Sequence, residues 1–162
     1  MSRSAAATDT TDIDAVTDAV LTASRLLVAV SVRSVAAAGE LTLPQFRLLV
    51  VLHTRGPLKH AVLADQLGVT PSTASRMVDR LVAVGMVERL SSPTSRREIV
   101  LELTREGGRI VRQVMARRRK EIAKIVARMP DRARRGLVEV LTAFAEAGDE
   151  PLSGANLEGV WA

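Results

Sequence analysis

Cysteine and tyrosine are absent from the 162 residues, and the whole aromatic complement is Phe46, Phe144 and Trp161. Without cysteine there can be no disulfide, no thiolate metal ligand and no thiol redox sensor, and a reducing compartment is allowed. So few rings argue against recognition of single strands by base stacking, and they leave the core to Leu, Val, Ile, Ala and Met. Histidine occurs twice, at His53 and His60, without partners at metal-ligand spacing; no metal is expected, and both are assigned ordinary roles. His53, on an apolar stripe, reads as a satisfied buried histidine that could also serve as a pH-sensitive group. No phosphate loop and no placeable Ser–His–Asp ordering is found, so neither an enzyme nor a cofactor is predicted. The start, MSRSAAATDTTDIDAV, lacks the basic-then-apolar order of a signal peptide. The most apolar stretch, around LLVAVSVRSVAAA, is broken by Arg33 and serines. The prediction is a cytoplasmic protein with no membrane partner.

What the chain does have is arginine. Of 23 basic residues 20 are arginine, and 22 of the 23 fall in residues 25–135 against nine acids, a net +13 between acidic ends. A basic middle of this kind is the footprint of a polyanion-binding face.

Apolar residues recur at helical spacing from Asp12 to about Ala38 (Ile13, Val16, Val20, Leu21, Leu27, Val28, Val35), after a small, polar, disordered segment over 1–10. Gly39 ends that helix; Thr42 caps a second, with Pro44 just inside it and Gly56–Pro57 stopping it. A third helix runs from about Lys59 to Leu67 and closes at Gly68. Thr70 caps a fourth, which ends at Gly85. The period then changes to alternation in MVERL (86–90) and around Ile99, Leu101 and Leu103, with SSPTSRR (91–97) as a hairpin tip. Helical spacing returns from Arg105, breaks at Pro130 and resumes from Asp131, where Leu137, Val138, Leu141 and Phe144 form the apolar side. Residues 149–162, with Trp161, read as a flexible tail. The run Arg117–Lys120 reads most simply as a solvated side, and more sharply as an anion site. The fold class is mainly α, in the order α-α-α-α-β-β-α-α.

The chemistry concentrates in LADQLGVTPSTASRMVDRL (63–81). On the fourth helix Ala74, Met77, Val78 and Leu81 share one side, while Ser72, Ser75, Arg76, Asp79 and Arg80 point away and Thr73 lies at the border. Hydroxyls and guanidiniums on that outer side suit base edges and phosphates. Leu63, Ala64 and Leu67 supply the packing half, and Gly68 can take the left-handed turn between the helices. Alone, the pattern fits two packed core helices as well as a helix-turn-helix. The hairpin that follows, with Arg96 and Arg97 positioned for a minor groove, makes it a winged helix-turn-helix spanning 42–104. Ser72, Thr73, Ser75 and Arg76 are expected to read the major groove of double-stranded DNA, Arg80 to contact phosphate, and Arg96 and Arg97 to enter the minor groove. A DNA-coating protein without an operator, or a winged-helix module for protein–protein contact, are the alternatives.

The stretches LTLPQFRLLVVL and VLADQLGVTPSTASRMVDRLVAVGMVERLSSPTSRREIVLELTREG resemble the MarR family of bacterial transcription regulators, over about residues 12–148. The resemblance implies a homodimer, with 12–38 and 105–148 as dimerisation helices, acting as a repressor on a palindromic operator. It also implies a small aromatic acid as effector, held between the winged domain and the dimer helices; Phe46, Arg47 and His53 are the candidates for that pocket. The family's wing commonly reads Asp-Pro-x-Asp-Arg-Arg. Here Ser92 and Ser95 replace the aspartates while Pro93, Arg96 and Arg97 remain, so the wing is expected to be either more mobile or held by Asp79 instead.

Overall fold

The structure is a computed structural model that describes residues 2–92 and 95–148, with side chains described over 12–91 and 99–148. Six helices and three strands follow one another: α1 (Ser2–Ala36), α2 (Leu43–Arg55), β1 (Leu58–Lys59), α3 (His60–Leu67), α4 (Pro71–Ala83), β2 (Val87–Ser92), β3 (Ser95–Leu103), α5 (Arg105–Ala127) and α6 (Asp131–Ala147). The mainly α winged architecture is as the sequence predicts. The tail 149–162, Trp161 included, lies outside the described residues.

Local chemistry sets the helix starts. Thr42 and Gln45 form a reciprocal capping box: Gln45 Oε1 accepts from the Thr42 amide at 2.9 Å, and Thr42 Oγ1 accepts from the Gln45 amide at 3.4 Å. Gly56 then closes α2 at φ +74°, a value an L side chain resists.

Two elements differ from expectation. α1 begins at Ser2, over residues expected to be disordered; extending an existing helix through Ala5–Ala7 needs no new nucleus. Leu58–Lys59 is a strand and not helix or loop. It pairs with β3 (Leu58 with Leu101, Lys59 with Val100), so the predicted two-stranded ribbon is a three-stranded antiparallel sheet in the order β1-β3-β2. Two residues are too short for alternation to show, and a strand made by a partner about forty residues away leaves no local signal.

The core gathers Leu48, Leu49 and Leu52 of α2, Leu63 and Leu67 of α3, Val78 and Leu81 of α4, Val87 and Leu101 of the sheet, and Ile110, Val111 and Val114 of α5. α1 contributes Val35 to that cluster and buries Val30 and Ser34 as well. Most other apolar positions of α1 and α6 stay exposed among the described residues: Ile13 is 59% exposed, Val138 73% and Phe144 57%. Asp12–Ala36 is also long and apolar enough to cross a membrane, by length and composition only. Arg25 near its middle would be costly there, and Val30, Ser34 and Val35 are packed into the protein.

His53 is half-buried, and burial first, then the Arg112 charge, lowers its pKa from 6.5. Below 6.5 the unfolded chain therefore takes up this proton before the folded one does, and stability falls with acidification. We expect stability to drop as the pH falls through about 6.5 in chemical denaturation, with a shallower drop in His53→Gln.

Candidate nucleic-acid interface

α4 carries its polar and apolar residues on separate sides because the spacing of its apolar residues matches the helical repeat. Ala74, Val78 and Leu81 are buried against α3 and the core, Met77 is half-buried, and Ser72, Arg76, Asp79 and Arg80 are exposed. Thr73 and Ser75 sit half-buried at the margins. Gly68, in the left-handed conformation at φ +66°, closes α3 and turns the chain into α4.

The helix start is a chain of hydroxyls. Thr70 Oγ1 accepts from the Thr73 amide at 3.3 Å as N-cap and donates to Thr73 Oγ1 at 3.0 Å. It lies 3.1 Å from Ser72 Oγ, and Arg76 Nη2 donates to Thr73 Oγ1 at 3.4 Å. Four of the predicted contact residues (Ser72, Thr73, Ser75 and Arg76) thus stand together on the first two turns. Arg80 continues the same exposed side one turn further. Backbone amides at a helix start favour an anion, so this end of α4 suits a phosphate as well as a base edge.

The wing is β2 and β3, in register from Val87 opposite Leu103 to Ser91 opposite Ile99, with an irregularity at Ser91/Ser92. Arg96 and Arg97 lie on β3, just past the Ser92–Ser95 pair, so they belong to the ribbon's returning strand and not to the turn itself. Their side chains lie outside the described residues. Asp79 on α4 accepts from Arg89 Nη2 on β2, which ties the wing to the helix. Both partners are well exposed, so the pair sets orientation more than stability. At the wing's base Thr104 Oγ1 donates to the Gly85 carbonyl at 2.7 Å and accepts from the Gly107 amide at 3.0 Å, joining the end of α4 to the start of α5.

A hollow of about 260 Å³ lies between α1, α2 and α5. Phe46, Arg47 and Val50 line it from α2, Met115 and Arg118 from α5, and Ser31 from α1. His53 is absent from this lining; it sits two turns along α2, beside Arg112. Arg47 has work elsewhere as well, donating from Nη1 to the Leu67 carbonyl at 3.3 Å and so finishing α3. Arg118, from the run read most simply as a solvated side and more sharply as an anion site, is a lining residue not singled out by number from the sequence. It is half-buried, and its Nε is buried with no hydrogen-bond partner among the described residues. The signal was present: Arg118 stands at i+7 from Val111 and i+4 from Val114, on the buried stripe of α5 and not on the solvated side assigned to Arg117–Lys120.

Likenesses to known proteins bear on this geometry. A family model described as the MarR family matches residues 41–99. The crystal structure of RV1404 from Mycobacterium tuberculosis is 54% identical, superposes with a TM-score of 0.80, and the alignment covers 87% of this chain and 97% of that one. The multiple antibiotic resistance protein MarR of Escherichia coli is 34% identical over 74 residues, 46% of this chain and 51% of that protein. The chain spans about half the length of the curated relatives it matches first. A MepR mutant from S. aureus bound to an oligodeoxyribonucleotide shares the fold, with a TM-score of 0.63 at 16% identity over 81% of this chain and 96% of that one.

Proposed function

Because the chain belongs to the MarR family of transcription regulators, we propose that it is a homodimeric, cytoplasmic repressor of a palindromic operator, released by a small aromatic acid. The observation that carries the reading is α4 itself. Its hydroxyl- and arginine-bearing side is exposed and tied to a wing, while its apolar side is anchored in the core.

Ser72, Thr73, Ser75 and Arg76 face base edges in the major groove, Arg80 meets phosphate, and Arg96 and Arg97 reach the adjacent minor groove. A second copy covers the uncovered apolar residues of α1 and α6 and places the two α4 helices about one helical turn, ~34 Å, apart. The effector occupies the hollow between α1, α2 and α5, with its ring among Phe46, Val50 and Met115. Its carboxylate takes the unpartnered Nε of Arg118. Filling a hollow that joins winged domain to dimer helices favours one spacing of the two α4 helices over another, which is how such a ligand acts at a distance. Arg47 lines the same hollow; His53 lies outside it.

Footprinting on the DNA upstream of the protein's own gene, with and without small aromatic acids, tests the whole reading. Arg76→Ala is expected to weaken operator binding by about 1–3 kcal/mol and relax preference at one position, whereas Arg80→Ala weakens all sequences alike and shallows the salt dependence. An Arg76→Ala protein with unaltered operator selectivity would remove α4 from base recognition. Equal affinity for operator and random duplex would point to a DNA-coating protein, and no affinity for duplex to a protein–protein module.

A further inference from the structure

His60, the first residue of α3, is half-buried, and its Nε2 lies 3.0 Å from Ser75 Oγ, fifteen residues on. Two features of the fold make this contact. The pairing of Lys59 with Val100 fixes the residue before His60 against the sheet. The Gly68 turn then brings the second turn of α4 back beside the start of α3. Among the described residues of α4, Ser75 is the one hydroxyl held from another helix; Ser72 and Thr73 bond to Thr70 and Arg76 within their own segment.

A serine hydroxyl has one proton to donate and two lone pairs, and it turns freely unless a neighbour takes a side. With Nε2 bare, Ser75 donates inward and presents lone pairs outward, which match the exocyclic amino groups of adenine or cytosine. With the proton on Nε2, the ring donates and the hydroxyl proton is free to turn outward, matching N7 and O6 of guanine or O4 of thymine. An unclamped serine would tolerate both.

We propose that His60 is a positioning residue for base recognition, fixing through its contact with Ser75 whether that hydroxyl donates or accepts toward DNA, and therefore which base is preferred opposite it. The inference rests on the reading of α4 as the base-contacting helix.

The test uses the full chain and a set of operator duplexes in which each position carries each base in turn. His60→Ala and Ser75→Ala are expected to flatten the preference at one and the same position, by roughly three- to tenfold. The double variant should flatten it no further, and the other positions and the salt slope should not move. His60→Gln, which keeps a hydrogen-bonding group at similar reach, should restore a preference at that position. Ser75→Ala reaches the contact from the other side, so a folding defect in His60→Ala would not hide the effect. The proposal is overturned if His60→Ala weakens every duplex equally, shifts a position that Ser75→Ala does not, or adds to Ser75→Ala. Arg76→Ala in the same assay separates the two failures. If it leaves selectivity unchanged, α4 does not read bases; if it alters selectivity while His60→Ala does not, only the positioning role is lost.

Discussion

Gly107→Ala should lower the stability of the protein by about 3 kcal/mol or more, near the top of what overpacking by one methyl does. A methyl group built on Gly107 overlaps the Met86 carbonyl oxygen and stands 2.9 Å from Leu103 Cδ2 and 3.1 Å from the Met86 carbonyl carbon. Two of those three atoms are backbone, so no rotamer change relieves the overlap. Met86 is also committed, because its carbonyl accepts from the Thr104 amide at 3.2 Å. The expected drop in thermal midpoint is about 6–12 °C, read by circular dichroism. Two other glycines serve as controls. Gly108 would bring its methyl 3.3 Å from the end of the Arg112 side chain, which can swing away, and Gly136 on α6 meets nothing within 4 Å. Gly136→Ala should therefore stabilise by about 0.5–1 kcal/mol through helix propensity alone. If Gly107→Ala behaves like Gly136→Ala, the start of α5 does not lie against the root of the wing.

Leu141→Asp combined with Phe144→Asp should convert a dimer to monomers and reduce operator affinity on the order of 10²- to 10⁴-fold, the loss that follows when two linked half-sites become independent. Both side chains are more than half exposed in the single chain, at 54% and 57%, so the winged domain has no reason to unfold when they change. Beneath a second copy they would become buried carboxylates without partners, which is strongly unfavourable. Light scattering gives the mass, and titration of a full and a half operator gives the affinity. A wild-type protein that is already monomeric, or a variant that stays dimeric, would remove α6 from the interface.

How far these features were legible depends on where their cause lies. The two sides of α4, its Thr70 cap and the Gly68 turn are all local, within one or two turns of chain, and the sequence carries them openly. The wing's alternation and its Arg96–Arg97 pair are equally local. β1 could not be read, because Leu58 and Lys59 become a strand only by lying beside Val100 and Leu101. His60 was read as an ordinary histidine because its partner, Ser75, comes near it only once α3 and α4 are folded together. Arg118 lay in plain view at helical spacing, but its membership of a basic run hid its place on the buried stripe. The apolar sides of α1 and α6 were visible as periodicity, yet nothing among the described residues covers most of them.

The pairing of β1 with β3 ends at Lys59 and Val100, so β3 is braced on both flanks at its root and on one flank beyond it. From Val100 to Ser95 the ribbon projects roughly 17 Å as an extended strand pair. It is a cantilever whose clamp is the β1 contact on one side and the Asp79–Arg89 tie on the other. A tilt of about 5° at the clamp carries the far end through roughly 1.5 Å, about half a hydrogen-bond length. The residues at the root thus set the aim of the ribbon's far end.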